Sequence, residues 1–363
     1  MNLKKCVSII MFTTFVINAQ AQKYNHHIIA YYTGDAEMIK AYPVGKLSHI
    51  ILSFLNISHD SLTFKNEKQE NTLKSLVSLK NQYPDLKIMV SIGGWGGCPQ
   101  CSDLFSVEEH RNMFAKTTVE LFKKYNADGI DLDWEYPTIA GYEGHKYVPE
   151  DKNNFTELIK ALRKEMGDRY ILSFAAGGFT RFLEESVDWT SIMPHLDFVN
   201  LMTYDLTSGA SKTTGHHTPL ANNDTQKQSA DNCITWLLNH GVPPNKLIMG
   251  AAFYARVWEK VSNINNGLYQ QGKFKQGVNY KNHSDFFSDS LGFNSYWDKN
   301  AKAPYKYSPS KGLFATYDDP KSIKAKSKYI RRKKLGGIMF WQLTQDKPTG
   351  GLIDVMSKTL NNK

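Results

Sequence analysis

The chain has 363 residues, of which 41% are hydrophobic, and it contains 7 Trp and 19 Tyr. This length exceeds that of one β-sandwich and suits an α/β barrel with an insertion. The net charge of +9 comes from scattered basic residues, which argues against a nucleic-acid-binding surface. The one dense basic run, Arg331 to Lys334, ends a helical stretch, and we interpret it as a solvated helix end.

The N-terminal segment has the pattern of a secretory signal peptide. Lys4 and Lys5 precede the apolar run Cys6 to Ile17, which is too short to span a bilayer comfortably, and Ala19 to Ala21 matches a small-x-small cleavage pattern. We expect residues 1–21 to be removed and the mature chain to be secreted, either extracellular or periplasmic. A lipoprotein anchor is the alternative, but the cysteine precedes the apolar run. No later segment is apolar enough to cross a membrane.

Three cysteines follow that segment. Cys98 and Cys101 are spaced for a small loop disulfide in a secreted protein, and the sequence leaves their pairing open. A zinc site would need a second ligand pair at suitable spacing, and none is evident. Cys233 lies in an apolar helical pattern, which predicts a buried thiol.

Eight apolar runs rich in Val, Ile, Phe and Tyr predict β-strands. In chain order they are His27 to Tyr32, Leu47 to Leu55, Leu86 to Ile92, Gly129 to Glu135, Tyr170 to Ala176, Asp197 to Tyr204, Lys246 to Tyr254 and Gly336 to Leu343. The predicted amphipathic helices between and after them are Asn71 to Lys80, Val107 to Tyr125, Asp151 to Met166, Asp224 to Asn239, Asp319 to Lys334 and Leu352 to Leu360. This alternation predicts an α/β fold of the (β/α)8 TIM barrel type over residues 22–363. A doubly wound sheet would need a Gly-rich phosphate turn after the first strand, and Tyr32 to Asp35 is not one.

One interval breaks the alternation. Arg256 to Leu313 separates the seventh strand from its helix, whereas ordinary βα loops have ~2–6 residues. We predict that 257–313 is a small α+β subdomain inserted between strand 7 and helix 7. Because βα loops surround the active site of such barrels, this subdomain should form one wall of the cleft.

The fourth predicted strand places three carboxyl groups on one face. Alternate strand residues point the same way, so Asp131, Asp133 and Glu135 share the face toward the barrel interior. Burying three acids is expensive unless they share protons and hydrogen bonds, which favours a functional site. Glu135 lies at the C-terminal end of the strand, where its neighbours would keep it protonated as a general acid. Metal binding is the alternative, but no His accompanies the acids on this strand.

A single acid suffices where the substrate supplies the nucleophile. In substrate-assisted glycosidases a 2-acetamido oxygen attacks the anomeric carbon. Asp133 is positioned to hold the acetamido N–H, and Asp131 below it to share a proton with Asp133.

Several motifs, in order, resemble glycoside hydrolase family 18, the family of many chitinases. Asp128-x-x-Asp131-x-Asp133-x-Glu135 resembles the family signature. The other similar segments are Ser91-Ile-Gly-Gly94-Trp95, Met202-Thr-Tyr204-Asp205, Phe253-Tyr254-Ala255-Arg256 and Gly336 to Trp341. Ala255 stands where the family has Gly, and Gln342 follows Trp341 where the family often has Glu. The loop Gly96 to Cys101 is unusual.

The resemblance implies a role for each matching residue. Glu135 is the acid and then the base, Asp133 orients the acetamido group, and Tyr204 hydrogen-bonds its carbonyl. Asp131 buffers Asp133, and Tyr31 and Ser91 lie beneath both. Trp341 forms the floor of the cleft, although it and Met202 also suit plain packing. The remaining expected cleft residues are Phe54, Gly94, Trp95, Asp205, Tyr254 and Arg256.

These patterns predict a retaining hydrolase of β-1,4-linked N-acetylglucosamine chains such as chitin, acting as a monomer on chitin or chitooligosaccharides without metal or cofactor. An endo-β-N-acetylglucosaminidase of N-glycan cores and a catalytically weak chitin-binding lectin are the alternatives. Adjacent histidines rarely converge on one metal, so we interpret His216 and His217 as loop or rim residues.

Overall fold

The computed structural model describes residues 26–361, so the predicted signal peptide lies outside the described residues. The strands are β1 (His27–Tyr32), β2 (His49–Ser58), β3 (Ser61–Thr63), β4 (Lys87–Gly93), β5 (Gly129–Asp133), β6 (Ile171–Gly177), β7 (Phe198–Met202), β8 (Leu247–Ala252), β9 (Tyr254–Glu259), β10 (Lys273–Asn279), β11 (Asn294–Asp298), β12 (Ala303–Ser308), β13 (Leu313–Thr316) and β14 (Gly337–Trp341). The helices are α1 (Glu67–Ser78), α2 (Cys101–Ser106), α3 (Glu108–Tyr125), α4 (Asp151–Met166), α5 (Trp189–Ile192), α6 (Ala230–Asn239), α7 (His283–Phe286), α8 (Pro320–Lys333) and α9 (Leu352–Asn361).

The eight predicted strands form a closed parallel β-barrel, which confirms the predicted fold. Their order is β1, β2, β4, β5, β6, β7, β8 and β14, and β14 pairs with β1 to close the barrel. The strands are apolar throughout because both faces are buried. In β1, Ile29 and Tyr31 face the barrel interior, while Ile28 and Ala30 belong to the layer under the helices.

Local signals fix the ends of α8 where the sequence suggested them, whereas α1 begins earlier and α6 later than predicted. The Asp319 side chain accepts from Ser322 N at 2.7 Å and caps α8, with Pro320 in the first turn. The last turn of α8 carries Arg331, Arg332 and Lys333, which complement the negative end of the helix dipole. The basic run is therefore a helix end, as expected.

An antiparallel sheet is inserted between β8 and α8. Its five strands run in the order β10, β9, β13, β12 and β11, with α7 between β10 and β11. The sheet begins at Tyr254, immediately after β8, and ends at Thr316, so it extends beyond the predicted interval at both ends. Its two faces bury separate apolar clusters, one around Val257 and one around Trp258.

The cysteines of the described chain form one disulfide and leave one free thiol. Cys98 and Cys101 form a disulfide at the start of α2, and Cys233 is a free, buried thiol in α6. Burial raises the pKa of that thiol to about 12.

Within residues 26–361, none of the helices combines the length and the apolar character that crossing a bilayer requires.

Candidate active site

Asp131 lies fully buried inside the barrel and accepts hydrogen bonds from neighbouring strands. Tyr31 Oη donates to its Oδ2 at 2.7 Å. Ser173 Oγ and Asn200 Nδ2 donate to its Oδ1 at 2.6 and 3.0 Å, and Ser91 Oγ lies 3.4 Å from Oδ2. Burial raises the pKa of Asp131 above its ordinary value, although these four hydrogen bonds oppose the rise. The carboxyl group is therefore fixed in orientation by contacts on every side.

Asp133, one step further up the same face of β5, has far fewer partners. It is 4% exposed, and its Oδ1 is buried without a hydrogen-bond partner among the described residues. Burial raises its pKa well above the ordinary value, and the nearby Glu135 and Asp131 carboxyls raise it further. This carboxyl is thus held at the barrel mouth with one buried oxygen that has no hydrogen-bond partner among residues 26–361.

Tight contacts bring the end of β4 against the backbone of Asp133. Gly93 has φ 92°, and a Cβ there would lie 2.1 Å from Asp133 O. Gly94 has φ 79°, and a Cβ there would lie 2.3 Å from the Phe54 ring. Only glycine meets both the left-handed backbone and the lack of space. The glycine pair therefore positions Trp95, the next residue, at the mouth of the barrel.

Glu135 follows β5 and is partly buried at the barrel mouth. Burial raises its pKa to about 7, the charge of Asp205 contributes to the rise, and a hydrogen bond with Tyr136 opposes it. A carboxyl with this pKa holds a proton near neutral pH and releases it readily, as a general acid requires. The peptide bond between Glu135 and Tyr136 is cis.

Asp205 belongs to an ionic cluster on the other side of the mouth. Arg256 donates to both of its oxygens, with Nη2 2.5 Å from Oδ2, and His217 Nδ1 lies 3.3 Å from Oδ1. Burial opposes ionisation of Asp205, but the Arg256 and His217 contacts outweigh it and hold the pKa well below the ordinary value. Asp205 has φ 56°, a left-handed conformation that is strained for a non-glycine residue. Two residues from different elements thus hold it as a permanent anion.

Tyr204 and Tyr254 lie beside the charged groups of the barrel mouth, and both are near Asp205. Their ring centroids are 6.3 Å apart, and Tyr204 Oη points at Met339 Sδ at 3.9 Å. Burial raises the pKa of Tyr204 well above its ordinary value, and the charges of Asp133 and Glu135 raise it further. Its hydroxyl therefore remains a proton donor at any pH the protein meets.

Trp341 closes the barrel interior from above. It stacks on Phe54 with ring centroids 5.5 Å apart and an interplanar angle of 16°, and its centroid lies 5.8 Å from that of Tyr31. The ring stays partly exposed at the end of β14. Met202 is 9% exposed and packs with the same interior cluster, so packing accounts for most of its surface.

Trp95 lies outside this interior layer. Its side chain is 64% exposed, and its ring centroid is 6.4 Å from that of Tyr136. The predicted site residues thus form four groups. These are the carboxyl groups of Asp131, Asp133 and Glu135, the ionic cluster of Asp205 and Arg256, the stacked rings of Trp341 and Phe54, and the exposed ring of Trp95.

The expectation that the two histidines are loop or rim residues is confirmed for the loop. His216 and His217 lie on a loop, as expected, but both are fully buried rather than on the rim. His216 Nε2 contacts Asp298 Oδ2 at 3.1 Å, and the His217 ring packs 5.3 Å from that of Tyr254. Each histidine binds a carboxylate from a distant part of the chain, which adjacency in sequence does not reveal.

Sequence reasoning also missed four residues at the site. Ser173 and Asn200 bind Asp131, and each was detectable as a lone polar residue in an apolar strand. Tyr136 hydrogen-bonds with Glu135, and His145 Nε2 lies 3.1 Å from Tyr136 N. No periodic pattern signals these last two, because they lie in a loop.

The arrangement combines a proton donor of near-neutral pKa with a fixed anion across an open cleft. Such a pair supports acid-catalysed cleavage of a bond between them. Among residues 26–361, no group of three or more His, Cys, Asp or Glu side chains is arranged to hold a metal ion. The fold and site are those of a (β/α)8 barrel with a cluster of buried carboxyl groups at the C-terminal end of its strands.

Comparison with known proteins identifies the family. The model for glycosyl hydrolases family 18 matches residues 27–346, and the chain belongs to that family. Chitinase A1 of Niallia circulans is 34% identical over 316 residues, which are 80% of this chain and 44% of that protein. The chain therefore spans less than half the length of this relative.

Two solved structures extend the likeness to the fold. Chitinase ChiA74 from Bacillus thuringiensis has a TM-score of 0.86 at 28% identity, covering 93% of this chain and 71% of that one. A family 18 N-acetylglucosaminidase from Paenibacillus barengoltzii has a TM-score of 0.82 at 34% identity, covering 92% and 99%.

Proposed function

We propose that this chain hydrolyses β-1,4-linked N-acetylglucosamine chains, such as chitin and its oligosaccharides, with retention of configuration. One observation carries the proposal: Glu135, with a pKa of about 7, follows Asp133, whose buried Oδ1 has no hydrogen-bond partner in the described part of the chain. A retaining glycosidase needs a proton donor and a nucleophile, and an acetamido group supplies the latter in substrate-assisted enzymes. The chitinase names of the relatives support this substrate.

In the first step Glu135 gives its proton to the glycosidic oxygen as the bond from that oxygen to the anomeric carbon breaks. The acetamido carbonyl oxygen of the same sugar bonds to the anomeric carbon and closes a five-membered ring. Asp133 accepts a hydrogen bond from the acetamido N–H and stabilises the positive charge that develops there. The Tyr204 hydroxyl donates to the acetamido carbonyl oxygen and so orients it.

In the second step the Glu135 carboxylate takes a proton from water. The water oxygen attacks the anomeric carbon from the side that the leaving group vacated, and the five-membered ring reopens. Configuration is retained because the carbon is inverted twice. Asp205, fixed by Arg256, positions the sugar, and Trp341 supports its apolar face.

Three further expectations belong to the same proposal. We propose that residues 1–21 are a signal peptide, that the mature enzyme is secreted, and that it works as a monomer. The chemistry above uses only side chains and the substrate, so the proposed reaction requires no metal or organic cofactor.

Hydrolysis of a chromogenic β-glycoside of N,N′-diacetylchitobiose tests the proposal. Glu135→Gln should lower kcat about 10³-fold or more, because the proton donor is removed. Glu184→Gln, at an exposed glutamate, is the control and should keep full activity. A β-configured first product in the NMR spectrum supports retention, whereas near wild-type activity in Glu135→Gln contradicts the assignment.

The alternatives predict different results with the same protein. Release of glycans from a high-mannose glycoprotein without cleavage of chitin oligomers would indicate an endo-β-N-acetylglucosaminidase. Tight binding of oligomers without turnover would indicate a lectin. The lengths of products from oligomers of defined size separate endo cleavage from the single-sugar release that the name of the Paenibacillus barengoltzii relative describes.

A further inference from the structure

A buried ion pair lies behind the site, between helix α8 and the end of β8. Lys326 Nζ of α8 is 2.6 Å from Asp318 Oδ2, and both side chains are fully buried. Burial lowers the pKa of Lys326, and the charge of Asp318 opposes this change. Because a buried ion pair often adds no net stability to a fold, this pair is a candidate for a further role.

The ion pair is attached to the ends of two barrel strands. Asp318 Oδ2 accepts from the backbone N–H of Ala252, the last residue of β8, at 3.1 Å. Lys326 Nζ donates to Thr218 Oγ1 at 2.6 Å. The proton of that hydroxyl is then available to Thr203 O at 3.3 Å or to Asp318 Oδ2 at 3.1 Å. Since Thr203 directly follows β7, Thr218 connects the ion pair with the end of that strand.

Thr218 is linked to both ends of the segment 203–206, which carries two of the proposed site residues. Its hydroxyl contacts the carbonyl oxygen of the first residue of the segment. The carbonyl oxygen of its neighbour His217 accepts from the backbone N–H of Leu206, the last residue, at 3.0 Å. The His217 ring also contacts Asp205, with Nδ1 3.3 Å from Oδ1. A displacement of Thr218 would therefore be transmitted to the whole segment.

The segment needs this support because one of its residues is strained. Asp205 has φ 56°, and a non-glycine residue keeps such a conformation only where the surrounding structure fixes it from several sides. Arg256 binds the side chain of Asp205. The contacts of Thr218 and His217 instead fix the backbone on either side of it. The buried ion pair gives these backbone contacts a fixed point of attachment.

We propose that Thr218 is a positioning residue for the hydrolysis reaction. Anchored by the buried ion pair, it holds Tyr204 and Asp205 in the geometry that the reaction requires. Because Thr218 is itself buried, it acts through these two residues and not on the substrate. A misplacement of about 1 Å can slow a reaction about 100-fold, so such support affects the rate. This inference rests on the proposed function, in which Tyr204 orients the acetamido group and Asp205 positions the sugar.

The test removes one hydroxyl and leaves the ion pair intact. Thr218→Val keeps the shape of the side chain but loses the hydrogen bonds of its hydroxyl. With the chromogenic chitobioside, kcat should fall about 10-fold, because groups that act in the transition state are misplaced. KM should change by less than about 2-fold, since these groups act on the transition state more than on the bound substrate. Thr218→Ser keeps the hydroxyl and should restore kcat to within about 2-fold of wild type.

Thr156→Val is the matched control. Thr156 is a buried threonine in α4, and its hydroxyl donates to Lys152 O of the same helix at 3.0 Å. Removal of this hydroxyl should leave kcat and KM unchanged, because the residue has no link to the segment 203–206. Substitution within the ion pair is avoided, since it would leave one buried charge without its partner and destabilise the whole fold.

The outcomes separate the two proposals. If the wild-type chain cleaves the chitobioside and Thr218→Val keeps the wild-type kcat, the function stands and the positioning role is overturned. Equal losses of kcat in Thr218→Val and Thr218→Ser, or in Thr218→Val and Thr156→Val, also overturn it, because the hydroxyl of Thr218 is then not responsible.

If the wild-type chain does not cleave the substrate, the proposed function fails. Crystal structures of wild type and Thr218→Val then decide the positioning role separately. A displaced Asp205 carboxylate in the variant supports this role, whereas an unmoved one overturns it.

Discussion

The pKa values of two carboxyl groups at the barrel mouth, those of Glu135 and Asp205, are shifted in opposite directions. On one side burial raises the pKa of Glu135 to about 7. On the other side Asp205 is also buried in part, yet Arg256 and His217 lower its pKa below the ordinary value. Burial is common to both, so the difference comes from the partners: two donors bind Asp205, whereas Glu135 has one tyrosine beside it.

This difference assigns the two carboxyl groups different tasks. The group that stays protonated near neutral pH can donate a proton, and the group that stays ionised can only accept hydrogen bonds and stabilise positive charge. The two are also linked, because the Asp205 charge contributes to the raised pKa of Glu135. A substitution that changes the charge of Asp205 is therefore expected to change the pKa of Glu135 as well.

The largest effect on stability is expected at Arg256. Arg256→Gln leaves Asp205 partly buried without its main partner, which should lower the free energy of unfolding by about 2–4 kcal/mol at pH 7. Arg181→Gln removes the exposed pair with Glu185 and should change it by less than about 1 kcal/mol. Urea unfolding measures both, and equal effects would mean that Arg256 does not offset the Asp205 charge.

That loss should depend on pH with a definite sign. The folded-state pKa of Asp205 is depressed, so its contribution to stability is present above the unfolded pKa, ordinarily about 3.8, and disappears as the pH falls through the folded value. The difference between wild type and Arg256→Gln should therefore shrink in strongly acidic solution. A difference that is constant down to pH 2 would contradict the ionic interpretation.

A smaller effect on the free energy of unfolding, with the opposite sign, is expected when Glu135 is substituted. The folded pKa of about 7 exceeds the ordinary 4.5, so the stability that the bound proton provides is complete below 4.5 and is lost as the pH rises through 7. Glu135→Gln should therefore be more stable than wild type by roughly 1–3 kcal/mol at pH 8, and the gain should vanish near pH 4. Urea unfolding at both values checks this, and a gain independent of pH would contradict it.

The smallest effect is expected at His217. His217→Asn weakens one hydrogen bond to Asp205, measured at 3.3 Å, and should lower the free energy of unfolding by about 1 kcal/mol. Arg256 still binds Asp205 in this variant, so kcat/KM should fall only a few-fold. A loss as large as that of Arg256→Gln would show that His217, and not Arg256, is the main partner.

The fold was accessible from sequence because parallel barrel strands are buried on both faces and read as continuous apolar runs. Strand boundaries were harder to predict where the chain passes from the barrel to the inserted antiparallel sheet. The predicted strand Lys246 to Tyr254 comprises all of β8 and the first residue of β9, divided only by Phe253. Both strands are buried, so the sequence shows no break between them.

Asp131 and Asp133 were predictable from the alternation within β5, whereas Glu135 lies beyond the end of that strand and not within it as predicted. Among the partners of Asp131, Tyr31 and Ser91 were expected from the resemblance to the family, whereas Ser173 and Asn200 were not. Ser173 lies beside Asp131 through the pairing of β6 with β5, and this register does not follow from either strand alone. The burial of His217 was not predictable for a similar reason, since Asp205 and Tyr254 contact it from outside its own loop. The roles assigned to the site residues remain predictions.

The dependence of kcat/KM on pH tests most directly whether Glu135 is a buried acid that donates its proton. This parameter reports the ionisation of the free enzyme. With the chromogenic chitobioside, kcat/KM should fall tenfold per pH unit above a pKa of about 7, the value for Glu135. Activity that declines already above pH 5, or that stays level to pH 9, would contradict this assignment.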